Sequence, residues 1–455
     1  MKGFISAGYY YIYNSFINAS SFYVLIESNS GEVREFIHSF TDTWIISLFV
    51  MTVIPVPFII KEFKNQRCLK FNLTVGAVIL VAPILWTFFI SKSLPYVSIS
   101  GFYQYQEEAR NYEKSEISNP IGSFENVSHT VEGKELHVII IGESTSRDHL
   151  NIYGYNRPTT PNLAAIQNKL SIYTDVISPH THTIAVLSKL LTLSNYENPK
   201  EPKGSIIQLI NQAGYKTYWI SNQKPVGIFD NQVTLMARAT NQQVFINTTS
   251  EQRRTPLDLE LIPELKKVIE KDEEKVVVFL HILGTHTAYD QRYPNDFERF
   301  EGKPELTQHR TDRAYETINE YDNAVLYNDF VVSEVIDVVA KVNTNSFVLY
   351  FSDHGEDVFQ VSNNAIHVET KATSPMFRVP FVLWQSLLNE SKRKIDKELD
   401  RKYMLDDLFH GIADLCEIKF LKFDSTRSIF NKNFRPRERV ILDGITYEEL
   451  LQSEK

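Results

Sequence analysis

"VIIIGESTSRDHLNIYGYNRPTTPNL", Val138 to Leu163, is the stretch on which the fold turns. Four β-branched apolar residues stop at Gly142, and an acid, three hydroxyls, an arginine, an aspartate and a histidine follow within seven residues. A short, continuous apolar run suits a strand buried on both faces, and sheets of such strands form ligand sites beyond their carboxyl ends. Polar chemistry packed directly behind a buried strand therefore predicts a site there.

The run reaches back to Leu136, and three more of the same kind follow this stretch. "LHVIIIG" begins at Leu136, "YKTYWIS" at Tyr215, "KVVVFLHIL" at Lys275 and "SFVLYFS" at Ser346. Helix-like stretches separate them, among them "GSIIQLINQAG" from Gly204 and "YDNAVLYNDFVVSEVIDVVAKV" from Tyr321. Strands alternating with helices predict an α/β fold, a mainly parallel sheet sandwiched by helices, over residues 136–445.

The chain before this region reads differently. Trp44 to Ile60 and Leu73 to Ile90 carry no charged residue. Each is near the length that crosses a bilayer core, and buried core helices normally show a polar stripe that these lack. They are read as membrane spans over 44–60 and 73–90 within a helical transmembrane part, residues 1–94. Lys61, Lys64, Arg67 and Lys70 sit between them. The positive-inside rule puts that loop in the cytoplasm and everything after Ile90 outside. Residues 95–135 read as an aromatic interfacial helix and a polar linker.

With 455 residues, two parts are expected. A net charge of −9, with no basic motif, argues against a nucleic-acid surface. The two cysteines, Cys68 and Cys416, form neither a disulfide framework nor a cysteine metal site.

Residues beyond the strands form a constellation. Glu143 follows "VIIIG", Thr285 and His286 follow "VVVFLHILG", Asp353, His354 and Glu356 follow "SFVLYFS", and Asn222 to Lys224 follow "YKTYWIS". Glu, Asp and His together suit zinc or manganese. Singly, each has an ordinary structural explanation; together, at successive strand ends, they point to a metal. "SPHTHTIAVLSKLLTLSN" adds Thr181 and Thr183 before an apolar helical run. A threonine there could cap the helix or, beside a metal, ionise and attack phosphorus.

Taken together, "GESTSRDHLNIYGYNRPTTPNL", "HILGTHTAYDQRYP", "YDNAVLYNDFVV" and "FSDHGED" resemble the phosphoethanolamine transferases of bacterial envelope lipids. These belong to the sulfatase-like branch of the alkaline phosphatase superfamily. The resemblance runs from about residue 20 to about residue 440. It implies an inner-membrane enzyme with a periplasmic catalytic domain. Such an enzyme would move phosphoethanolamine from phosphatidylethanolamine to lipopolysaccharide, at lipid A or the core, through a phosphothreonine.

By this resemblance zinc falls on Glu143, Asp353, His354 and the nucleophile, aligned with Thr181; manganese is an alternative ion. His286 and His367 would hold the phosphoethanolamine group and act as acid and base. Ser28, Glu32 and Lys224 would touch substrate. A monomer is expected, with membrane lipid as its other partner. This chain departs from the family pattern at the nucleophile, where Pro179-His180-Thr181 replaces Cys-Gly-Thr. Thr183 therefore remains the alternative nucleophile. The family's stabilising cysteines are absent, and two spans are evident where about five are usual. Rival expectations are a phosphoglycerol transferase or phosphatase of the same superfamily, or a shortened, inactive member that binds lipid. No Cys- or Ser-x-Pro-x-Arg motif of a sulfatase is present.

Overall fold

The computed structural model describes residues 8–12, 33, 37, 41, 43–54, 117–197, 204–223, 232–247, 255–442 and 444–454. The chain divides into two compact units, Met1–Arg110 and Asn111–Lys455. In the first, one helix spans Thr43–Val53, and its Trp44, Ile46, Phe49 and Val50 side chains are exposed. Among the described residues no helix is long and apolar enough to cross a membrane. Most of the expected spans at 44–60 and 73–90, and the basic loop between them, lie outside the described residues.

The second unit is built on a seven-stranded sheet. Its strands are β1 (Glu135–Gly142), β2 (Leu170–Ile172), β3 (Lys216–Ser221), β4 (Gln242–Phe245), β5 (Lys275–His281), β6 (Asn345–Ser352) and β7 (Phe381–Gln385). The spatial order is β2-β7-β6-β1-β5-β3-β4. Strands β6, β1, β5, β3 and β4 run parallel, while β7 pairs antiparallel with both β6 and β2. The expected mainly parallel sheet is thus a mixed one, with an antiparallel strand toward one edge.

All eight residues of β1 are buried, which explains the unbroken apolar run. Successive side chains point to opposite faces. Ile139 and Ile141 pack with Val186, Leu190, Ile206 and Leu408, from α1 (Thr183–Leu190), α2 (Ile206–Gln212) and α5 (Leu408–Leu415). Val138 and Ile140 pack with Leu265 and Val335, from α3 (Ile262–Glu270) and α4 (Asp312–Ala340). Local signals set the ends of two of these helices. Ser205 and Gln208 close a capping box on α2, and Thr311 caps α4.

Register brings the strand ends together. Gly142 of β1 is opposite Ser352 of β6, and Ile141 is opposite His281 of β5. The next residues, Glu143 and Asp353, must therefore lie side by side. The Asp353 amide donates to the Gly142 carbonyl at 3.0 Å.

Candidate metal centre

Glu143, Asp353 and His354 are all buried, and one ligand atom from each lies within 4.8 Å of the others. His354 Nε2 is 3.1 Å from Glu143 Oε1 and 3.8 Å from Asp353 Oδ2. Ligands about 2.0–2.1 Å from a tetrahedral zinc ion are separated by roughly 3.3 Å, so the spacing fits. The other groups of the three ligands are tied down. His354 Nδ1 donates to the Gly355 carbonyl at 2.8 Å, which turns Nε2 toward the carboxylates. Asp353 Oδ1 accepts from the His354 and Ser144 amides, whereas its buried Oδ2 has no hydrogen-bond partner among the described residues. An orphaned carboxylate oxygen aimed at a second carboxylate and an imidazole is a cation's place.

Electrostatics agree. Burial and then the charge of Glu143 push Asp353 up to about 7. Burial opposes charge on His354, yet Asp353 and Glu143 carry it up to about 10. Burial also opposes charge on Glu143, but its bond to His354 takes it well below the carboxylate range. The three groups thus hold a positive charge between them as a proton, and a divalent ion would take over that role.

Two glycines let the loops close. A Cβ at Gly284 would lie 2.8 Å from the Glu143 carbonyl oxygen, and φ there is +56°. A Cβ at Gly355 would lie 2.2 Å from the Pro375 carbonyl oxygen.

The two threonines separate. Thr181 Oγ1 donates to the His367 carbonyl at 2.6 Å, away from the ligands. Thr183, the first residue of α1, donates from Oγ1 to Glu143 Oε2 at 2.9 Å. Neither caps the helix: His182 is the cap residue and makes no side-chain cap bond. The hydroxyl beside the cluster is thus that of Thr183, and not the Thr181 hydroxyl of the expected alignment, which is spent on a backbone carbonyl of the neighbouring loop.

His367 Nδ1 lies 2.7 Å from Glu356 Oε2, and its ring centroid is 4.7 Å from that of His354. Burial lowers His286 to about 4, against the pull of Glu143, and its Nδ1 is buried without a partner among the described residues. Both histidines therefore belong to the cluster. Ser28, Glu32 and Lys224 lie outside the described residues.

Asn222 and Gln223, expected beyond the end of β3, support the cluster together with Asp258, Tyr321 and Asp322, which the sequence did not single out as site residues. Gln223 Nε2 donates to Glu143 Oε2 at 3.2 Å. Asp258 accepts from the Leu283 and Gly284 amides and from Asn222, fixing the loop that carries His286. Tyr321 accepts from the Ser146 amide and donates to the Ser144 carbonyl, where the backbone turns at a φ of 55°. Asp322 gathers His149, Tyr155 and Arg157 at 2.7–2.8 Å. Most of the polar residues behind β1 thus anchor its loop to α4, while Glu143 enters the metal cluster and Ser144 donates to it, from its hydroxyl to Glu143 Oε1 at 2.9 Å and from its amide to Asp353 Oδ1.

Comparison with known proteins now bears on this geometry. A family model described as sulfatase matches residues 136–418. The phosphoethanolamine transferase EptC of Escherichia coli K12 is 30% identical over 472 residues, 95% of this chain and 81% of that protein. The crystal structure of the C-terminal periplasmic domain of E. coli EptC, in complex with zinc, aligns with a TM-score of 0.70. It is 32% identical and covers 72% of this chain and 97% of that one. The integral membrane lipooligosaccharide phosphoethanolamine transferase A of Neisseria meningitidis shares the fold. Its TM-score is 0.71 at 21% identity, over 95% of this chain and 86% of that one.

Proposed function

The chain belongs to the phosphoethanolamine transferases of the sulfatase family, and on that premise we propose that it carries phosphoethanolamine from phosphatidylethanolamine to lipopolysaccharide through a covalent intermediate on Thr183. The observation that supports this most is the Thr183 hydroxyl, 2.9 Å from a carboxylate of the Glu143–Asp353–His354 cluster.

Zinc held by these three residues would lower the pKa of a neighbouring hydroxyl and stabilise charge developing on phosphoryl oxygens. The chain's own groups do the rest. Thr183 attacks the donor phosphorus, the bond from phosphorus to the diacylglycerol oxygen breaks, and diacylglycerol leaves with a proton. A sugar hydroxyl or sugar phosphate of the acceptor then attacks, and Thr183 is released. The first turn of α1, which begins at Thr183, would offer its amides to the phosphoryl group. His367, its ring fixed by Glu356, presents Nε2 for proton transfer, and His286, kept neutral by burial, can accept a proton. Ser28, Glu32 and Lys224 are proposed to hold the rest of the donor.

We further infer an inner-membrane part over residues 1–94, a linker to 135 and a periplasmic catalytic domain over 136–445. The charge of the 61–72 loop supports this topology. The test is reconstitution with phosphatidylethanolamine and lipopolysaccharide, read by mass spectrometry of both lipids. Diacylglycerol release with a matching phosphoethanolamine gain on lipopolysaccharide is expected. Release without gain would point to a phosphatase and overturn the proposal.

A further inference from the structure

We propose that Glu369 is a positioning residue of the transfer reaction: through His180 it ties the segment that carries Thr183 to the loop that carries His367. The role deepens the reading of the site given above and rests on it.

Thr183 needs support from both sides. On its carboxyl side α1 is anchored by Val186, Leu187 and Leu190, all fully buried. On its amino side residues 178–182 form no regular helix or strand. His182 is extended there, with φ −133° and ψ 133°, and makes no side-chain cap bond. No repeating backbone ladder holds this stretch, so its pairing falls to contacts from elsewhere.

His180 supplies the first of them. Its Nδ1 lies 2.9 Å from Glu369 Oε1, and its Nε2 lies 3.2 Å from the Tyr196 hydroxyl. The Tyr196 ring stacks on the imidazole with centroids 5.6 Å apart, and the Tyr196 hydroxyl donates to the Pro179 carbonyl at 3.0 Å. The Ser178 hydroxyl donates to the His180 carbonyl at 2.7 Å. His180 is thus braced at both ring nitrogens, on its ring face and at its carbonyl. The glycine usual in the family at this position could make none of the ring contacts.

The next two residues reach the same loop as His180 does. Thr181 Oγ1 donates to the His367 carbonyl, and the His182 ring meets the His367 ring edge-on, with centroids 5.8 Å apart. Glu369 opens a single 3-10 turn, Glu369–Lys371, two residues beyond His367. Burial opposes charge on its carboxyl, yet the bond to His180, and after it nearby His182 and the Thr181 amide, hold it down to about 2. It is an anion throughout the neutral range, and bonds to an ionised acceptor are the strong ones. Thr183 stands 2.9 Å from Glu143, while His367 packs on His354 from a separate loop. The tie through Glu369 keeps nucleophile and proton-transfer group in one arrangement. A misplacement of about 1 Å in such a site costs roughly a hundredfold in rate.

The experiment uses the full chain in membranes with phosphatidylethanolamine and lipopolysaccharide. Wild type is compared with Glu369→Ala, Glu369→Gln, His180→Ala and the double alanine variant. In Glu369→Ala, kcat for diacylglycerol release should fall roughly a hundredfold. KM for phosphatidylethanolamine and zinc content should stay close to wild type, because Glu369 is spent on His180. The two side chains are still 18% and 19% exposed, so melting temperature should change little. Glu369→Gln keeps an oxygen that can accept from His180 and should recover most of the rate. His180→Ala should fall alongside Glu369→Ala, and the double variant no further than either single one, the mark of two residues acting as a unit. His180→Ala decides the matter if Glu369→Ala does not fold. A wild-type kcat in either alanine variant, losses that simply add in the double variant, or a loss of zinc that accounts for the loss of rate would overturn the proposal. Failure of the underlying reading looks different: the wild-type enzyme itself would release no diacylglycerol.

Discussion

Replacing Thr183 by alanine and Thr181 by valine separates two hydroxyls that lie only two residues apart. Thr183→Ala removes an oxygen 2.9 Å from Glu143 and leaves Glu143, Asp353 and His354 in place. Zinc content should therefore stay close to wild type. Covalent adduct and lipid transfer should fall by roughly 10³-fold or more, as when a nucleophile is deleted from a preorganised site. Thr181→Val keeps the branched shape but deletes the donor to the His367 carbonyl. Thr181 is fully buried, so that carbonyl is left unpaired at a cost of about 1–3 kcal/mol of stability. Turnover should drop as His367 loosens, the adduct should still form on Thr183, and Thr181→Ser should restore both stability and rate. The assay is incubation with phosphatidylethanolamine, acid quench, digestion and fragmentation of the peptide carrying both threonines. A phosphoethanolamine mass on Thr181, or an adduct on the Thr183→Ala protein, would refute the reasoning.

Asp353→Asn should weaken zinc affinity by more than about tenfold and abolish transfer, measured by metal analysis and lipid mass spectrometry, because the orphaned Oδ2 loses its charge. Gly355→Ala should destabilise by more than about 3 kcal/mol, seen in thermal unfolding, since the new carbon meets a backbone oxygen at 2.2 Å. Burial opposes charge on Glu135, but bonds from His129, His137 and Tyr215 hold it down to about 2. Its contribution is present above the unfolded value near 4.5 and is lost as pH falls toward 2, so Glu135→Gln should flatten acid unfolding in that window. A reporter active only in the periplasm, fused after Lys455, should be active; one active only in the cytoplasm should be silent.

The parts of the fold legible in the sequence share one physical cause. A strand buried on both faces has to be apolar throughout, so "VIIIG", "VVVFLH" and "FVLYFS" were readable as β1, β5 and β6. Strands with weaker constraints were not: β2 has three residues and β4 is only partly buried. The antiparallel direction of β7 is set by pairing with β2 and β6, which its own apolar run does not encode. The grouping of Glu143, Asp353 and His354 was legible because Glu143 and Asp353 each directly follow a strand, and register then brings them together. Which threonine faces that group was not, for the converse reason. Residues 178–182 form no regular helix or strand, so no periodicity says which hydroxyl faces Glu143. That choice falls to contacts distant in sequence, the His367 carbonyl for Thr181 and the Glu143 carboxylate for Thr183. The same holds for Asp258 and Asp322, each of which reads as a plain helix-end or mid-helix acid until its partners fold around it. An α/β site of this type is thus readable up to the strand ends, and beyond them its chemistry depends on which loop each polar side chain is pinned to.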